Sequence, residues 1–337
     1  MANSNRYWDG KTVFVTGGTG FVGRWLIREL LQAGAKVVAL VRNSSKCAPK
    51  VEEPFGNRLL QVSGDLTDYS LVLSALTQSR PDTVFHLAGQ SLAGVAKSDP
   101  LRTLETNVRG TWNLLEASRK VSVSRIVVAS SDKAYGTSYE LPHREDHPLQ
   151  GRFPYEVSKS CADLIATMYA NSYGLPVAIA RFANVFGGGD LNFSRLIPDL
   201  IRTTLRGERF AIHSDGNFVR DFLYLRDAVS ALLDLAEQLD HMPSLAGQAL
   251  NFGLGVRLTV LEMVEKILSL MQMEHLRPIV KSLASCETRE SYLCCAKAEQ
   301  LLGWRPHYEL EHGLRETIGW YEEYFSTESC SVMEAAG

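Results

Sequence analysis

The segment TVFVTGGTGFVG, residues 12–23, decides the fold class. Its first five residues are apolar or β-branched and predict a buried strand, and Gly17, Gly20 and Gly23 follow in a Gly-x-x-Gly-x-x-Gly spacing. Gly17 permits a tight turn, Gly20 lets backbone N–H groups approach a pyrophosphate at a helix N-terminus, and Gly23 lets helix and strand pack closely. With a strand before it and a helix after it, the motif predicts a dinucleotide site. The residues assigned to it are Gly17, Thr19, Gly20, Phe21 and Val22.

Outward from this segment, apolar runs rich in Val, Ile and Phe alternate with segments of helical period. That alternation is typical of βαβ units around a buried parallel sheet. We therefore expect an α/β fold, a Rossmann-type doubly wound parallel sheet with a smaller C-terminal substrate-binding region. The first helix is expected to end near Ala33, and Thr259 with Glu262 predicts a capping box at a later one. The predicted strands are Thr12–Thr16, Lys36–Val41, Arg58–Val62, Thr83–Leu87, Arg125–Ala129, Val177–Phe182 and Ala249–Phe252.

The strand–helix rhythm breaks after Phe182, where a glycine cluster follows at 187–189. The predicted boundaries are residues 10–182 with roughly 221–256 for the NAD(P)-binding domain and 183–220 with 257–325 for the substrate-binding region. Residues 326–337 are small and polar and predict a disordered tail.

Composition narrows the class of protein. The 337 residues include 35 Lys and Arg against 38 Asp and Glu, a net charge of −3, and 45% are hydrophobic, which argues against disorder and against nucleic-acid binding. No apolar stretch reaches the ~18 residues of a membrane helix, and the first residues lack the features of a leader, so we expect no membrane partner and a cytoplasmic location. Six cysteines without Cys-x-x-Cys spacing predict neither a disulfide framework nor a metal site.

The end of the second strand bears on the choice of cofactor. An acidic residue that would hold the ribose 2′-hydroxyl of NAD is missing there, and Val41 fills its expected position. Arg42, the next residue, can pair with a 2′-phosphate. The predicted cofactor is NAD(P), with NADP slightly favoured over NAD.

A Tyr-x-x-x-Lys pattern occurs at Tyr7/Lys11 and at Tyr155/Lys159. The first match is attributed to chance, because Gly10 opposes a helix there. Tyr155 instead begins a helical stretch, so Lys159 lies one turn along on the same face, where its charge favours the phenolate. Tyr155 is the predicted general base for a substrate hydroxyl.

Three polar residues end the fifth strand at the sheet edge where such folds bind ligands. Ser131 is placed to orient the hydroxyl that the base deprotonates, while Asp132 and Lys133 supply a potential acid and a potential base side by side. The alternative is a capping Ser–Asp pair with a solvated lysine.

Together these motifs resemble an extended short-chain dehydrogenase/reductase of the nucleotide-sugar type, from residue 10 to about 325. The resemblance implies that the cofactor contacts, besides the glycine turn and Arg42, are Asp65, Leu66, Leu87, Ala88, Gly89, Asn107, Tyr155 and Lys159. The substrate contacts that it implies are Gln90, Ser91, Asn184, Arg220 and Arg289. For Arg289, a surface ion pair with Glu287 or Glu290 is the alternative.

Within that family, Ser131-Asp132-Lys133 looks most like the Ser-Asp-Lys of CDP-glucose 4,6-dehydratases, whereas Val41-Arg42 looks more like GDP-mannose 4,6-dehydratases. The likeness implies an NDP-4-keto-6-deoxyhexose product. Tyr155 would take the 4-hydroxyl proton, Lys133 the carbon-5 proton, and Asp132 would protonate the departing 6-hydroxyl. Lys133 must be neutral to act as this base, which needs desolvation or nearby cations.

Two other functions stay open at this point. One is an NDP-sugar epimerase of the 4-epimerase type, or another oxidoreductase of the same family; the other is a non-catalytic cofactor sensor that keeps the fold. The family resemblance also implies a homodimer paired through the Tyr155 helix. The apolar stripe assigned to that interface is Ala162, Ile165, Ala166 and Tyr169, with simple core packing as the alternative.

Overall fold

The computed structural model describes residues 7–42, 56–137, 140–282 and 288–334. The first half of the chain alternates strands and helices as the sequence predicts. Its elements are β1 (Thr12–Thr16), α1 (Phe21–Gln32), β2 (Lys36–Val41), β3 (Leu59–Ser63), α2 (Tyr69–Ser79), β4 (Thr83–His86), α3 (Ala93–Ser98), α4 (Pro100–Leu104), α5 (Gly110–Lys120), β5 (Arg125–Ser131), α6 (Pro154–Tyr173) and β6 (Val177–Phe182). Short 3-10 turns cover Gly56–Arg58 and Asp132–Tyr135, and a π-turn covers Glu105–Arg109.

The second half contains shorter strands between helices. Its elements are β7 (Asn184–Phe186), α7 (Leu196–Leu205), β8 (Ala211–Ile212), β9 (Val219–Arg220), β10 (Phe222–Tyr224), α8 (Leu225–His241), β11 (Ala249–Phe252), β12 (Leu258–Thr259), α9 (Val260–Leu270), β13 (Ile279–Val280), β14 (Glu290–Ser291), α10 (Ala296–Leu302) and α11 (Leu310–Glu334). The predicted capping box is present, since Glu262 N donates to the Thr259 hydroxyl and the Glu262 carboxylate accepts from Thr259 N.

Seven parallel strands form the main sheet in the order β11-β6-β5-β4-β1-β2-β3. The chain winds outward in one direction from β1 through β2 to β3, and in the other from β4 onward. The reversal of strand order therefore falls between β1 and β4, and the loops after these two strands open a crevice at the carboxyl edge. The predicted fold class is confirmed, and the predicted strands agree within two residues at either end.

Two apolar layers cover the faces of the sheet. Along β1, Val13 and Val15 pack into one hydrophobic cluster with α1 and α8, while Phe14 between them packs into the other with α2, α5 and α6. Successive strand residues point to opposite faces, so a strand buried on both sides needs a continuous apolar run. That is why the unbroken runs, rather than alternating ones, locate the sheet in the sequence.

The second half adds three small sheets around the carboxyl edge of the main one. The pairs are β7 with β10, β9 with both β12 and β14, and β8 with β13. Strands of two or three residues carry few hydrogen bonds of their own and depend on packing against the larger unit.

Two sequence predictions differ from the structure. Helix α11 continues to Glu334, whereas a disordered tail was predicted from residue 326; the hydroxyls of Ser326 and Thr327 bond to the carbonyls of Glu322 and Glu323, so these polar residues fit within a helix. Residues 335–337 lie outside the described ones.

The predicted dimer stripe on α6 is a second difference. Ala162, Ala166 and Tyr169 are buried within the chain itself, and Ile165 packs against the same cluster, because this face of α6 lies on the sheet and α5. The exposed large hydrophobic side chains of α6 include instead Leu164, at 60% exposure, and Met168, at 41%. Within the described residues no helix is long and apolar enough to cross a membrane.

Candidate active site

The glycine turn after β1 is packed so tightly that side chains are excluded. Gly17 has a φ of +74°, and a Cβ on it would lie 2.6 Å from Ala88 N, at the end of β4. A Cβ on Gly23 would lie 2.2 Å from Gly17 O. The turn therefore requires glycine at both positions for the chain's own packing, and it presents backbone rather than side chains to the crevice.

Helix α1 begins at this turn, and no side chain caps its N-terminus. Gly20 is the N-cap and supplies no side-chain hydrogen bond, while Gly20 N donates to Gly17 O at 2.9 Å. The first turn of the helix also carries no acidic side chain. Free N–H groups at the positive end of the helix dipole suit a pyrophosphate, so these residues fit a dinucleotide.

The next part of the crevice lies beyond β2 and β3. Val41 is buried, and Arg42 is exposed close enough to Asp65 for its charge to act on that carboxylate. Burial opposes ionisation of Asp65, but hydrogen bonds from Thr67 and the charge of Arg42 keep its pKa below the usual range. One cation and one anion therefore face the place where the adenosine end of a dinucleotide would lie.

Asn107 connects the loop after β4 to helix α6. Its carboxamide oxygen accepts from Gln90 N at 2.7 Å, and its amide nitrogen donates to Gln90 O and to the Ser158 hydroxyl, both at 2.9 Å. Asn107 is 3% exposed and stands in the π-turn, where the extra residue turns its side chain across the loop. Gly89, next to Gln90, lies close to both Asn107 and Lys159.

Leu66, Leu87 and Ala88 also have packing roles. Leu66 is 6% exposed and fills the space over Gly110, while Leu87 N and Ala88 N donate to the backbone and hydroxyl oxygens of Thr16. These contacts place the chain after β3 and β4 along the edge of the crevice.

Ser131 and Tyr155 meet at the end of β5. The two side chains are hydrogen-bonded, and Tyr155 begins the first turn of α6 after Pro154. Burial raises the pKa of Tyr155 to about 12, and the negative charge of Asp132 adds to this; the Ser131 hydrogen bond and the positive charge of Arg195 act in the opposite direction. Arg195 was not predicted from the sequence, which offered Lys159 as the cation acting on this tyrosine.

Lys159 lies one turn beyond Tyr155, as predicted. Its Nζ donates to Ala129 O on β5 at 3.0 Å, and burial lowers the pKa of its amine while Asp163, another turn along, raises it. Asp163 is itself held by Arg181 of β6 at 2.6 Å. The lysine is thus fixed between helix and strand with its ammonium facing the crevice near Gly89.

Asp132 and Lys133 form an ion pair directly after Ser131. Lys133 Nζ and Asp132 Oδ2 are 2.7 Å apart, with the side chains 22% and 2% exposed. Asp132 Oδ2 also accepts from Ser291 at 2.5 Å, and Oδ1 accepts from Ser131 at 3.0 Å. Burial opposes ionisation of Asp132, but the Lys133 charge and these hydrogen bonds hold its pKa below the usual range. The capping alternative holds in part, because Ser131 Oγ accepts from Lys133 N at 3.3 Å, but the lysine is paired rather than solvated.

The residues predicted to contact substrate divide into two groups. Ser91 faces the crevice and accepts from Arg195 Nη2 at 2.9 Å, and that arginine is oriented by Asp190 at the same distance. Gln90 is bound locally through its side chain to the backbone of Leu92, and Asn184 donates to Asp221 O at 2.9 Å.

Arg220 and Arg289 form the second group. Arg220 on β9 is 9% exposed and donates to Val219 O and Arg289 O. Arg289 is exposed and pairs with Asp215 at 3.2 Å. The alternative of a surface ion pair therefore holds with a different partner, since Glu290 pairs with Arg257 and Glu287 lies outside the described residues. Adjacent strand residues point to opposite faces, which sends Arg289 and Glu290 to different partners.

Three groups near the site were missed by sequence reasoning: Arg195, Ser291 and Asp221. Asp221 is fully buried and accepts from the backbone N–H groups of Leu254, Gly255 and Leu293, while its burial raises its pKa to about 7. No pattern in the sequence pointed to Ser291. Among the described residues no cluster of three or more His, Cys, Asp or Glu side chains could hold a metal ion.

The fold and the Ser131–Tyr155–Lys159 arrangement define an extended short-chain dehydrogenase/reductase. Comparison with known proteins agrees: the sequence model of the GDP-mannose 4,6 dehydratase family matches residues 14–317. The chain belongs to this family. The CDP-glucose 4,6-dehydratase of Salmonella typhimurium is 31% identical, and the alignment covers 97% of this chain and 96% of that protein.

Two solved structures are similar over nearly their whole length. An epimerase from Methanothermobacter thermautotrophicus superposes with a TM-score of 0.87 at 29% identity, covering 96% of each chain. A dTDP-glucose 4,6-dehydratase from Streptomyces venezuelae, with NAD and TYD bound, gives 0.83 at 29% identity, covering 93% of this chain and 97% of that one. The predicted enzyme class, the NDP-sugar 4,6-dehydratases, and the use of a nicotinamide dinucleotide are thereby confirmed.

Proposed function

We propose that this chain converts a CDP-glucose-like or GDP-mannose-like NDP-hexose to the NDP-4-keto-6-deoxyhexose. The observation that carries the proposal is the Asp132–Lys133 pair beside Ser131 and Tyr155, because it puts an acid and a base next to the oxidation site. Residues 10–182 with roughly 221–256 are proposed to hold the cofactor, and 183–220 with 257–325 to hold the substrate.

The cofactor is proposed to be NAD(P), held by the glycine turn and the open N-terminus of α1, with Asp65 at the adenosine end and Lys159 near the catalytic tyrosine. When bound, it supplies the acceptor for the hydride of carbon 4 and returns that hydride to carbon 6. The other cofactor-facing residues proposed are Thr19, Phe21, Val22, Leu66, Leu87, Ala88, Gly89 and Asn107.

A preference for NADP is supported by Arg42. Its guanidinium is exposed at the end of β2, while Val41 offers no carboxylate to a 2′-hydroxyl. Arg42→Ala should weaken NADP binding about tenfold, the order of one charge-assisted hydrogen bond, and leave NAD binding unchanged. Titration of intrinsic tryptophan fluorescence measures both affinities without turnover. Equal losses for the two dinucleotides would contradict the preference.

Tyr155 is proposed to remove the proton of the 4-hydroxyl, with Ser131 orienting that hydroxyl. In the chain by itself burial holds the phenol protonated, and Arg195 is the nearby cation that opposes this. Positive charge in the crevice is therefore what makes the phenolate accessible near neutral pH.

Lys133 and Asp132 are proposed to carry out the elimination of water from carbons 5 and 6. The base must be neutral and the acid protonated, whereas the side chains rest as an ion pair. One proton moved across the 2.7 Å contact from Lys133 Nζ to Asp132 Oδ2 produces both forms at once, with no change in net charge. Lys133 then takes the carbon-5 proton, and Asp132 gives its proton to the departing 6-hydroxyl, which leaves as water. Lys133 gives its proton back to carbon 5 when carbon 6 receives the hydride, which completes the 4-keto-6-deoxyhexose.

Substrate binding is proposed to involve Gln90, Ser91 and Asn184 at the sugar, with Arg220 and Arg289 toward the diphosphate. Guanidinium groups bind phosphate oxygens bidentately, and Arg220 lies on the strand that pairs with the segment after Arg289. Arg289 would have to exchange its exposed contact with Asp215 for the phosphate.

A homodimer is also proposed, with a changed interface. The exposed apolar side chains on the helices that flank α6 include Leu101, at 71% exposure, and Trp112, at 43%, beside Leu164 and Met168 on α6 itself. These exposed apolar side chains stand on helices that contact α6, and an apolar surface made by them would be covered by a second copy.

The test is to incubate the purified protein with CDP-glucose, GDP-mannose, UDP-glucose and dTDP-glucose separately, with NAD or NADP, and to follow mass. If one NDP-hexose loses a water, that result supports the proposal and identifies the nucleotide. Asp132→Asn should abolish this water loss, and the exposed control Arg144→Met should retain it. A changed retention time at constant mass would establish an epimerase, the function of the structural neighbour with the TM-score of 0.87. Binding of NAD(P) without turnover of any NDP-hexose would favour a cofactor sensor.

A further inference from the structure

Ser291 reaches the catalytic acid from a distant part of the chain. It lies on β14, is 2% exposed, and its hydroxyl donates to Asp132 Oδ2 at 2.5 Å across 159 positions of sequence. Asp132 is equally buried. A hydrogen bond to a buried carboxylate fixes the side chain strongly, because both groups have been removed from water.

The other groups around Asp132 come from the Rossmann side of the site or act from a distance. Ser131 and Lys133 are its neighbours in sequence, and they bind Oδ1 and Oδ2. His143, Asp221 and Tyr155 face it closely enough to interact through charge. Among the hydrogen bonds of the described residues, the Ser291 bond is the one that connects the Asp132 carboxylate to β14.

Strand β14 is itself tied to the proposed diphosphate site. Ser291 pairs with Arg220 of β9, and Asp221 N donates to Ser291 O at 3.1 Å. The backbone that carries Ser291 is thus paired with Arg220, which is proposed to meet the substrate phosphates, and bonded to Asp221 next to it, while the Ser291 side chain holds Asp132.

We propose that Ser291 is a positioning residue for the elimination step, holding the Asp132 carboxylate beside Lys133 from the substrate-binding region. It contacts neither substrate nor cofactor in this role and acts through Asp132. The inference rests on the proposed function, since it takes Asp132 to be the acid.

The test compares Ser291→Ala, Ser291→Thr, Asp132→Ala and the double variant Ser291→Ala/Asp132→Ala. Thr288→Val is the matched control, because Thr288 is also buried just before β14 and bonds to Thr137 instead of Asp132. Water loss from the accepted NDP-hexose gives kcat and KM, and urea denaturation of the same variants gives the unfolding midpoint.

Ser291→Ala should lower kcat about tenfold or more with KM changed less than about twofold, since a loosened catalytic group costs rate rather than affinity. Ser291→Thr keeps the hydroxyl and should restore most of kcat, and Thr288→Val should leave both constants unchanged. The double variant should have the same activity and the same urea unfolding midpoint as Asp132→Ala alone.

An unchanged kcat in Ser291→Ala, an equal loss of kcat in Thr288→Val, or a rise in KM alone would overturn the proposal. Failure of the proposed function is distinguishable: if the wild-type chain removes water from no NDP-hexose, or Asp132→Ala keeps full activity, the acid is misassigned. In that case the urea midpoints would still test the contact between Ser291 and Asp132. If the midpoint shifts of Ser291→Ala and Asp132→Ala add up in the double variant, the Ser291 hydroxyl does not hold Asp132.

Discussion

Replacing Lys133 with methionine should destabilise the protein through the carboxylate that is left behind. Asp132 is 2% exposed, so without its partner it is a buried charge that water cannot reach. Loss of one member of a fully buried pair costs about 3–5 kcal/mol. Lys133 is 22% exposed, and the hydrogen bonds from Ser131 and Ser291 remain, so we expect the lower end, about 3 kcal/mol at pH 7.

The loss should depend on pH with a defined sign. In the wild type the pKa of Asp132 lies below its unfolded value, so the ionised carboxylate stabilises the fold above that unfolded value and this contribution is lost as pH falls. Without Lys133, burial dominates and raises the pKa of Asp132 above the unfolded value. The variant then regains stability as the carboxylate takes up a proton. The difference in the free energy of unfolding between wild type and Lys133→Met therefore becomes smaller as pH falls from 7 to about 4.

Urea denaturation across that pH range measures the effect. Arg144→Met is the control, since it breaks an exposed ion pair with Asp146 in the same region and should leave the midpoint unchanged. Equal urea midpoints for Lys133→Met and Arg144→Met at pH 7 would refute the reasoning. So would a stability difference between wild type and Lys133→Met that does not change with pH.

Three further outcomes follow from the geometry. Gly17→Ala should lower the free energy of unfolding, measured by urea denaturation, by about 2 kcal/mol or more. Gly10→Ala should lower it clearly less, because Gly10 has a similar positive φ but open space around it. Equal losses for the two variants would contradict the close approach of Gly17 to the chain after β4. Leu164→Glu should give a monomer in light scattering with unchanged thermal stability, while Leu60→Glu on the edge strand should leave the assembly intact. Tyr155→Phe should lower turnover about 10²–10⁴-fold while fluorescence titration shows unchanged cofactor binding; residual turnover near wild type would assign the base elsewhere.

The sheet could be predicted because its strands are buried on both faces. A run of five or six residues that is almost wholly apolar or β-branched leaves little choice of element, and the positions of Thr12–Thr16 and Val177–Phe182 are matched to the residue, although the second run includes the buried, ion-paired Arg181. Tyr155 and Lys159 were found for a similar reason, since helical spacing fixes their relation without knowledge of the rest of the fold.

What could not be predicted depends on contacts between distant segments. Ser291 stands on a strand of two residues, too short to leave a pattern, and its partner is 159 positions away. Arg289 could be recognised as a surface cation, but its pairing with Asp215 follows from the alignment of β14 against β9. The buried face of α6 was misassigned to a dimer because the spacing of apolar residues does not tell a helix's own core from a neighbouring chain.

The hydrogen bonds of Asn107 connect only one side of the site. Both ends of its carboxamide are hydrogen-bonded, so the loop after β4 is connected directly to the first turns of α6. On the other side of the site, strands of two or three residues pair with one another, and Ser291 connects one of them to Asp132. We therefore expect substitutions in these short strands to change which sugar is accepted while the residues held by Asn107 keep their positions.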